Sequence, residues 1–143
     1  MKEILTAIDI EAAPETVWQV LTDFSAFPSW NPFIVRITGE PRQGSRLEVR
    51  IQPPGARAWT FRPRITAYEP NRELRWIGRL VIPGLFDGEH GLIIEPRTPR
   101  SVRFIQRELF SGVLVPFMWN QVEQKTRRGF EDMNRALKTR AER

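Results

Sequence analysis

Residues 114–137 read LVPFMWNQVEQKTRRGFEDMNRAL, and the spacing of the apolar residues in this stretch decides the fold. Leu114, Met118, Val122, Thr126, Phe130, Met133 and Leu137 recur every three or four positions, which predicts one long helix over about 114–140. Its opening, Val113 to Phe117, is apolar all round, so that end should be buried or should line a cavity. Lys125, Arg127, Arg128, Arg135, Lys138 and Arg140 alternate with Glu123, Glu131, Asp132 and Glu142, the mixture of a solvated face. At this spacing Met118, Trp119, Val122 and Phe130 suit a plain core as readily as the wall of a ligand site.

Working outward, the segments before this helix follow a period of two. Residues 3–11 alternate as a strand with Ile4, Thr6, Ile8 and Ile10 on one face. Pro14 then opens a helix, because its missing N–H is harmless in a first turn, and Val17, Leu21 and Phe24 form its apolar stripe. Six more strands are predicted over 33–39, 45–52, 58–68, 73–82, 87–96 and 101–110, with Gly, Pro and Asn marking most of the breaks. One strand, two short helical pieces, six antiparallel strands and a long terminal helix form an α+β layout in which the sheet must cover the helix. Such a sheet is strongly curved, and a helix fills only part of its concave face.

The connection at 27–34, FPSWNPFI, is unusual because loops ordinarily favour small polar residues. Phe27, Trp30 and Phe33 should therefore plug one end of the core or line what the core encloses. Asn31 fits a turn residue capping local backbone, or a ligand contact.

The order of elements, Ala13-Pro14-Glu15-Thr16-Val17-Trp18, Trp30-Asn31-Pro32-Phe33, Phe86-Asp87-Gly88-Glu89-His90, Phe110-Ser111-Gly112 and Thr126-Arg127-Arg128-Gly129-Phe130 together resemble the START-like (SRPBCC) superfamily. Within it the chain is most similar to the bacterial polyketide cyclase/dehydrase and lipid-transport group. The resemblance spans 1–143 as a single domain. It implies a helix-grip fold, in which a curved seven-stranded antiparallel sheet wraps around the long C-terminal helix, two short helices lie between strands 1 and 2, and a deep hydrophobic pocket is enclosed. Relatives of this kind include lipid carriers, receptors and aromatic cyclases, so function has to come from the site.

Strand parity separates the two faces of the sheet. The inner set includes Leu47, Val49, Ile51, Trp59, Phe61, Ile65, Leu74, Trp76, Gly78, Leu80, His90, Leu92, Ile94, Phe104, Gln106, Glu108 and Phe110. On the outer set stand Arg46, Arg50, Arg62, Arg64, Arg75, Arg79, Arg103 and Arg107. Three polar residues, His90, Gln106 and Glu108, thus fall among inward aromatics on neighbouring strands. A buried carboxyl must pair, hold water or move its pKa upward. Glu108 and His90 could satisfy each other as part of the scaffold, or could orient the polar end of a ligand in a largely apolar pocket. Gly78 leaves room in that pocket or simply kinks the sheet. The ligand-binding candidates are Trp30, Asn31, Trp59, Phe61, Trp76, Gly78, His90, Leu92, Phe104, Gln106, Glu108, Met118 and Val122, and His90 and Glu108 are the candidates for any catalysis.

Composition excludes several chemistries. The 143 residues contain no cysteine and one histidine, which leaves no thiol nucleophile, disulfide or zinc cluster, and no metal is expected. No dinucleotide fingerprint, phosphate loop or nucleophile elbow occurs, so no cofactor is expected. The N-terminus lacks a long apolar run, which predicts a cytoplasmic protein without stable membrane insertion. Net charge is +5, and only three of the 22 basic residues are lysine. The arginines keep an anion- or RNA-binding surface in view, but exposed aromatics for stacking bases are missing, and no nucleic acid partner is expected. The expected partner is a hydrophobic small molecule, lipid-like or aromatic, held by a carrier or sensor. The alternative is a cyclase-like enzyme with a His/Glu acid-base pair. The oligomeric state is open.

Overall fold

The computed structural model describes residues 1–79 and 82–143, so Leu80 and Val81 of the expected 73–82 strand lie outside the described residues, and Ile82 is no longer strand. The elements run β1 (Lys2–Ile10), α1 (Pro14–Thr22), a 3₁₀ turn (Phe24–Ala26), α2 (Phe27–Trp30), β2 (Ile34–Thr38), β3 (Glu48–Ile51), β4 (Trp59–Phe61), β5 (Arg64–Glu69), β6 (Glu73–Arg79), β7 (Asp87–Thr98), β8 (Ser101–Ser111) and α3 (Val115–Ala141). The antiparallel strands wrap α3 as the alternation of apolar residues demands.

Eight strands form where seven were expected, because the 58–68 segment breaks at Arg62-Pro63. Proline has no N–H to give to a ladder, so β4 ends before it and β5 begins after it. The break divides the strands into a five-stranded sheet, ordered β1-β8-β7-β6-β5, and a three-stranded sheet, ordered β2-β3-β4. The two are stitched together nonetheless: Leu47 N donates to Pro63 O at 2.8 Å and Ile65 N to Ser45 O at 2.9 Å. An isolated Arg46–Arg64 bridge adds to the seam. The interruption at Pro63 therefore supplies curvature without opening the surface.

The core lies where β1, β8 and β7 meet the C-terminal half of α3. Ile4, Ile10, Phe104, Phe130, Met133 and Leu137 are fully buried there or nearly so. The 27–34 stretch plugs the space beside them. Phe27 and Phe33 are buried, while Trp30 remains half-buried with its ring edge-on to Phe27 at 5.1 Å. Phe33 sits against Gly129 of α3, where an added Cβ would collide with its ring, and meets Phe130 edge-on at 5.6 Å. Asn31 sets this turn: its Oδ1 accepts from Phe33 N at 3.0 Å and Ile34 N at 2.8 Å. A short apolar connection thus positions both α2 and β2 against α3.

Candidate functional site

Three rows of side chains cross the concave face in register. One contains Thr6, Gln106, Leu92 and Leu74; the next Ile4, Glu108, His90, Trp76 and Ile65; the third Lys2, Phe110, Gly88 and Gly78. His90 and Glu108 are thus direct cross-strand neighbours, as the sequence pattern implied.

They do not satisfy each other. His90 Nε2 lies 2.9 Å from Gln106 Oε1, and Gln106 Nε2 donates to Phe130 O at 3.2 Å and to Asn134 Oδ1 at 2.8 Å. Asn134 Nδ2 in turn donates to Thr6 Oγ1 at 3.0 Å. Both amide hydrogens of Gln106 are spent, so its oxygen must accept and His90 Nε2 must carry the hydrogen. Nδ1 is then the nitrogen with a free lone pair. The imidazole stacks on Phe130 at 4.8 Å and 16° and meets the edge of Trp76 at 5.3 Å. Burial lowers the His90 pKa to about 4, with the Gln106 hydrogen bond acting in the opposite direction, so the ring is neutral at neutral pH.

Glu108 differs. Among the described residues its carboxyl has no hydrogen-bond or ion-pair partner within reach. It leans over Gly88, where an added Cβ would collide with Oε2. The residue is partly buried, and desolvation of its carboxyl pushes its pKa up to about 8. The neighbouring glycine of the row, Gly78, leaves a space taken by the Phe61 ring, whose nearest carbon would lie 3.0 Å from an added Cβ.

Burial along the concave face falls off towards this end. Trp76, Leu92, Phe104 and Gln106 are at most 2% exposed. Phe61, Met118, Trp119 and Val122 are half-buried, and Trp59, tilted against Phe61 at 4.9 Å, is 48% exposed. Phe110 links the walls, meeting Trp119 at 5.4 Å and Phe86 at 5.8 Å. The thirteen candidate positions therefore divide into three groups. Trp76, His90, Leu92, Phe104 and Gln106 form dry core against α3. Phe61, Gly78, Glu108, Met118 and Val122 are partly buried, and Trp59 is the exposed member of the set. Trp30 and Asn31 belong to the plug, where Trp30 Nε1 and Asn31 Nδ2 are buried without a partner among the described residues.

Sequence reasoning missed Asn134 and the role of Thr6. The signal was present, since Asn134 lies one turn after Phe130 on the apolar stripe and Thr6 interrupts the isoleucines of β1.

The convex arginines are largely engaged. Arg62 pairs with Glu48 at 3.0 Å, Arg75 with Glu73, Arg103 with Asp9 at 3.3 Å and Arg107 with Glu3. Arg46 donates to Arg62 O and Arg64 to Gly44 O. Two surface clefts around Arg72 and Arg97 lie by the β5–β6 and β7–β8 turns, away from Glu108. Among the described residues, no group of three or more His, Cys, Asp or Glu side chains is placed to hold a metal, and no helix is long and apolar enough to cross a membrane.

A curved antiparallel sheet with an apolar concave face gripping a C-terminal helix defines a START-like protein. The chain belongs to the polyketide cyclase/dehydrase and lipid transport family, which it matches over residues 1–142. Among solved structures it is similar to a START superfamily protein from Mycobacterium smegmatis, at 21% identity and a TM-score of 0.77 over 98% of this chain and 97% of that one. It is also similar to the Zhui aromatase/cyclase of Streptomyces sp. R1128, at 15% identity and a TM-score of 0.77 over 99% of this chain and 94% of that one. Norcoclaurine synthase of Thalictrum flavum shares the fold at 11% identity and a TM-score of 0.71, over 98% of this chain and 93% of that one. No curated protein matches the sequence. Family and fold support a role in hydrophobic ligand binding or of a polyketide cyclase-like kind.

Proposed function

We propose that this protein binds a hydrophobic, ring-containing or lipid-like small molecule between the sheet and the N-terminal half of α3, as a carrier or sensor. The observation that carries the reading is the burial gradient: inward-facing Phe61, Met118, Trp119 and Val122 remain half-exposed, while residues of the same face further along are sealed. Apolar side chains aimed at a concavity and left partly wet gain from a ligand that covers them, at about 25 cal/mol per Å² of apolar surface. Polar groups then fix orientation rather than supply most of the affinity. Glu108 is the polar contact of this site, and His90 lies one strand away. Native mass spectrometry of the purified protein should show a co-purified small molecule that is lost on denaturation. A chain that carries none and binds no hydrophobic dye at this site, as judged by Trp119→Ala, would sink the reading.

A cyclase-like enzyme is the second reading, favoured by the fixed tautomer of His90. A neutral imidazole with its Nε2–H committed to Gln106 presents Nδ1 as a base, and the Glu108 carboxyl beside it supplies a proton donor for a developing enolate. If His90 is that base, His90→Ala should lower turnover of a polyketone substrate by about 10²- to 10⁴-fold. Unchanged turnover would remove His90 from the role. Under the carrier reading the same variant changes ligand preference only modestly.

A further inference from the structure

The deep polar side chains of the concave face bond to one another, His90 to Gln106, Gln106 to Asn134 and Phe130 O, and Asn134 to Thr6. Glu108 is the exception. It sits in the same row as His90, faces the concave side, and its carboxyl occupies the space that Gly88 leaves. The titratable groups around it do not serve it. His90 is turned to Gln106, and Lys2, one row away on β1, places its Nζ 5.9 Å from the Trp119 ring centroid. On α3, Glu123 and Arg127 pair with each other, and Arg127 reaches Leu5 O. A partly buried carboxyl without a counter-charge is disfavoured in its ionised form, and the chain supplies no cation within ion-pair distance among the described residues.

Besides Ile4 on β1, the same and the next row carry aromatic rings. Phe110 follows Glu108 on the same face of β8, with Trp119 and Phe86 against it, and Trp76 lies two strands away in the Glu108 row. A carboxylate with aromatic rings in the same and the adjoining row is a setting in which an organic ammonium can be held twice, by a charge-assisted hydrogen bond and by the rings. An anionic ligand would meet like charge or force two acids to share a proton.

We infer that the ligand is a hydrophobic amine, its ring or chain lying along Phe61, Met118 and Val122 and its ammonium group donating to Glu108 over Gly88. This rests on the small-molecule reading above and names the chemistry of its polar end. The ligand supplies the counter-charge that Glu108 lacks among the described residues. It also explains why Gly88 is side-chain-free: any larger residue there would push the carboxyl off the face.

The test uses the intact protein and a matched pair of probes, naphthylmethylamine and naphthylmethanol, titrated calorimetrically at neutral pH in phosphate and in Tris. Ionised Glu108 is the form that pairs with an ammonium, so a carboxyl that is mostly protonated when free gives up a proton on binding. The amine should bind about 10-fold or more tightly than the alcohol. Its apparent enthalpy should differ between the two buffers, and the alcohol's should not. Glu108→Gln should abolish both the preference and the buffer dependence while the alcohol still binds, and Gly88→Ala should weaken the amine selectively. Equal binding of the two probes without proton release would overturn the inference and leave the small-molecule reading standing. Failure of both probes, in a protein that also carries no co-purified molecule, would remove both.

Discussion

The two halves of α3 belong to one helix facing one sheet, yet they do opposite things. From Gly129 to Ala141 the helix is sunk into the sheet, with Phe130, Met133 and Leu137 fully buried and Asn134 bonded to Gln106 and Thr6. From Val115 to Thr126 only Val115 is buried, Met118, Trp119 and Val122 remain half-exposed, and Phe117 is 82% exposed. The sheet residues opposite explain the difference. The inner half meets large side chains on β8 and β7, whereas the outer half stands over the row of Phe110, Gly88 and Gly78, where Trp119 packs on Phe110 and the glycine spaces are taken by Glu108 and Phe61. A sealed core stabilises a small domain and a partly wet face suits ligand binding, so under the proposed function one helix divides the two tasks along its length.

The sharpest way to break this comparison is to truncate one side chain in each half. Phe130 stacks on His90, meets Phe33 edge-on and is fully buried, so Phe130→Ala should cost about 3–5 kcal/mol. Met118→Ala removes an apolar side chain that water already reaches in part, and should cost about 1 kcal/mol or less while weakening ligand binding. Urea denaturation of both variants measures the difference. Equal costs would mean that the outer half is ordinary core.

The second test uses proton linkage. Glu108 has its folded-state pKa raised from 4.5 to about 8, so the stability it contributes is complete below pH 4.5 and is lost as pH rises through 8. His90, lowered from 6.5 to about 4, contributes stability that is complete above pH 6.5 and is lost as pH falls through 4. Between 4.5 and 6.5 the two slopes oppose each other and stability should be nearly level. Above that window only Glu108 acts, and stability should fall by about 2 kcal/mol between about pH 6.5 and about pH 9. Urea midpoints across this range should trace the decline, and Glu108→Gln should flatten it. A wild-type protein with no decline would show that Glu108 finds a partner in solution. The sealed and partly wet ends would then no longer differ electrostatically.

The sequence made the helical period of 114–140, the alternation of the strands and the inward positions of His90, Gln106 and Glu108 legible, because each rests on spacing along the chain. The pairing of these residues did not follow from spacing. His90 and Glu108 are cross-strand neighbours, which suggested mutual satisfaction, but the geometry of Gln106 between α3 and β7 captures the imidazole first. Asn134 was hidden because a single polar residue on an apolar stripe has no partner until the helix is docked. The break at Pro63 was readable in principle, since proline within a strand argues against continuity, but the alternation of Trp59, Phe61 and Ile65 runs through it. Gly78 shows the same limit: the sequence offered space, and Phe61, brought from another strand, fills it.

The smallest effect is expected on the face that sequence composition emphasised most. The convex arginines are joined to Glu48, Glu73, Asp9 and Glu3 in exposed or half-exposed pairs, so the charge is divided among local partners instead of gathered into an open basic surface. Exposed pairs of this kind contribute about 0–1 kcal/mol each. Arg62→Glu combined with Arg75→Glu should therefore shift the urea midpoint only slightly and leave binding of a small molecule at the concave face unchanged. RNA should associate weakly with the wild type and dissociate as salt approaches physiological strength, because contacts to phosphate alone release counterions and depend steeply on salt. Filter binding over a salt series tests this. Tight association that survives physiological salt and disappears in the double variant would transfer function to the convex face, and the contrast between the halves of α3 would then describe only how the scaffold is packed.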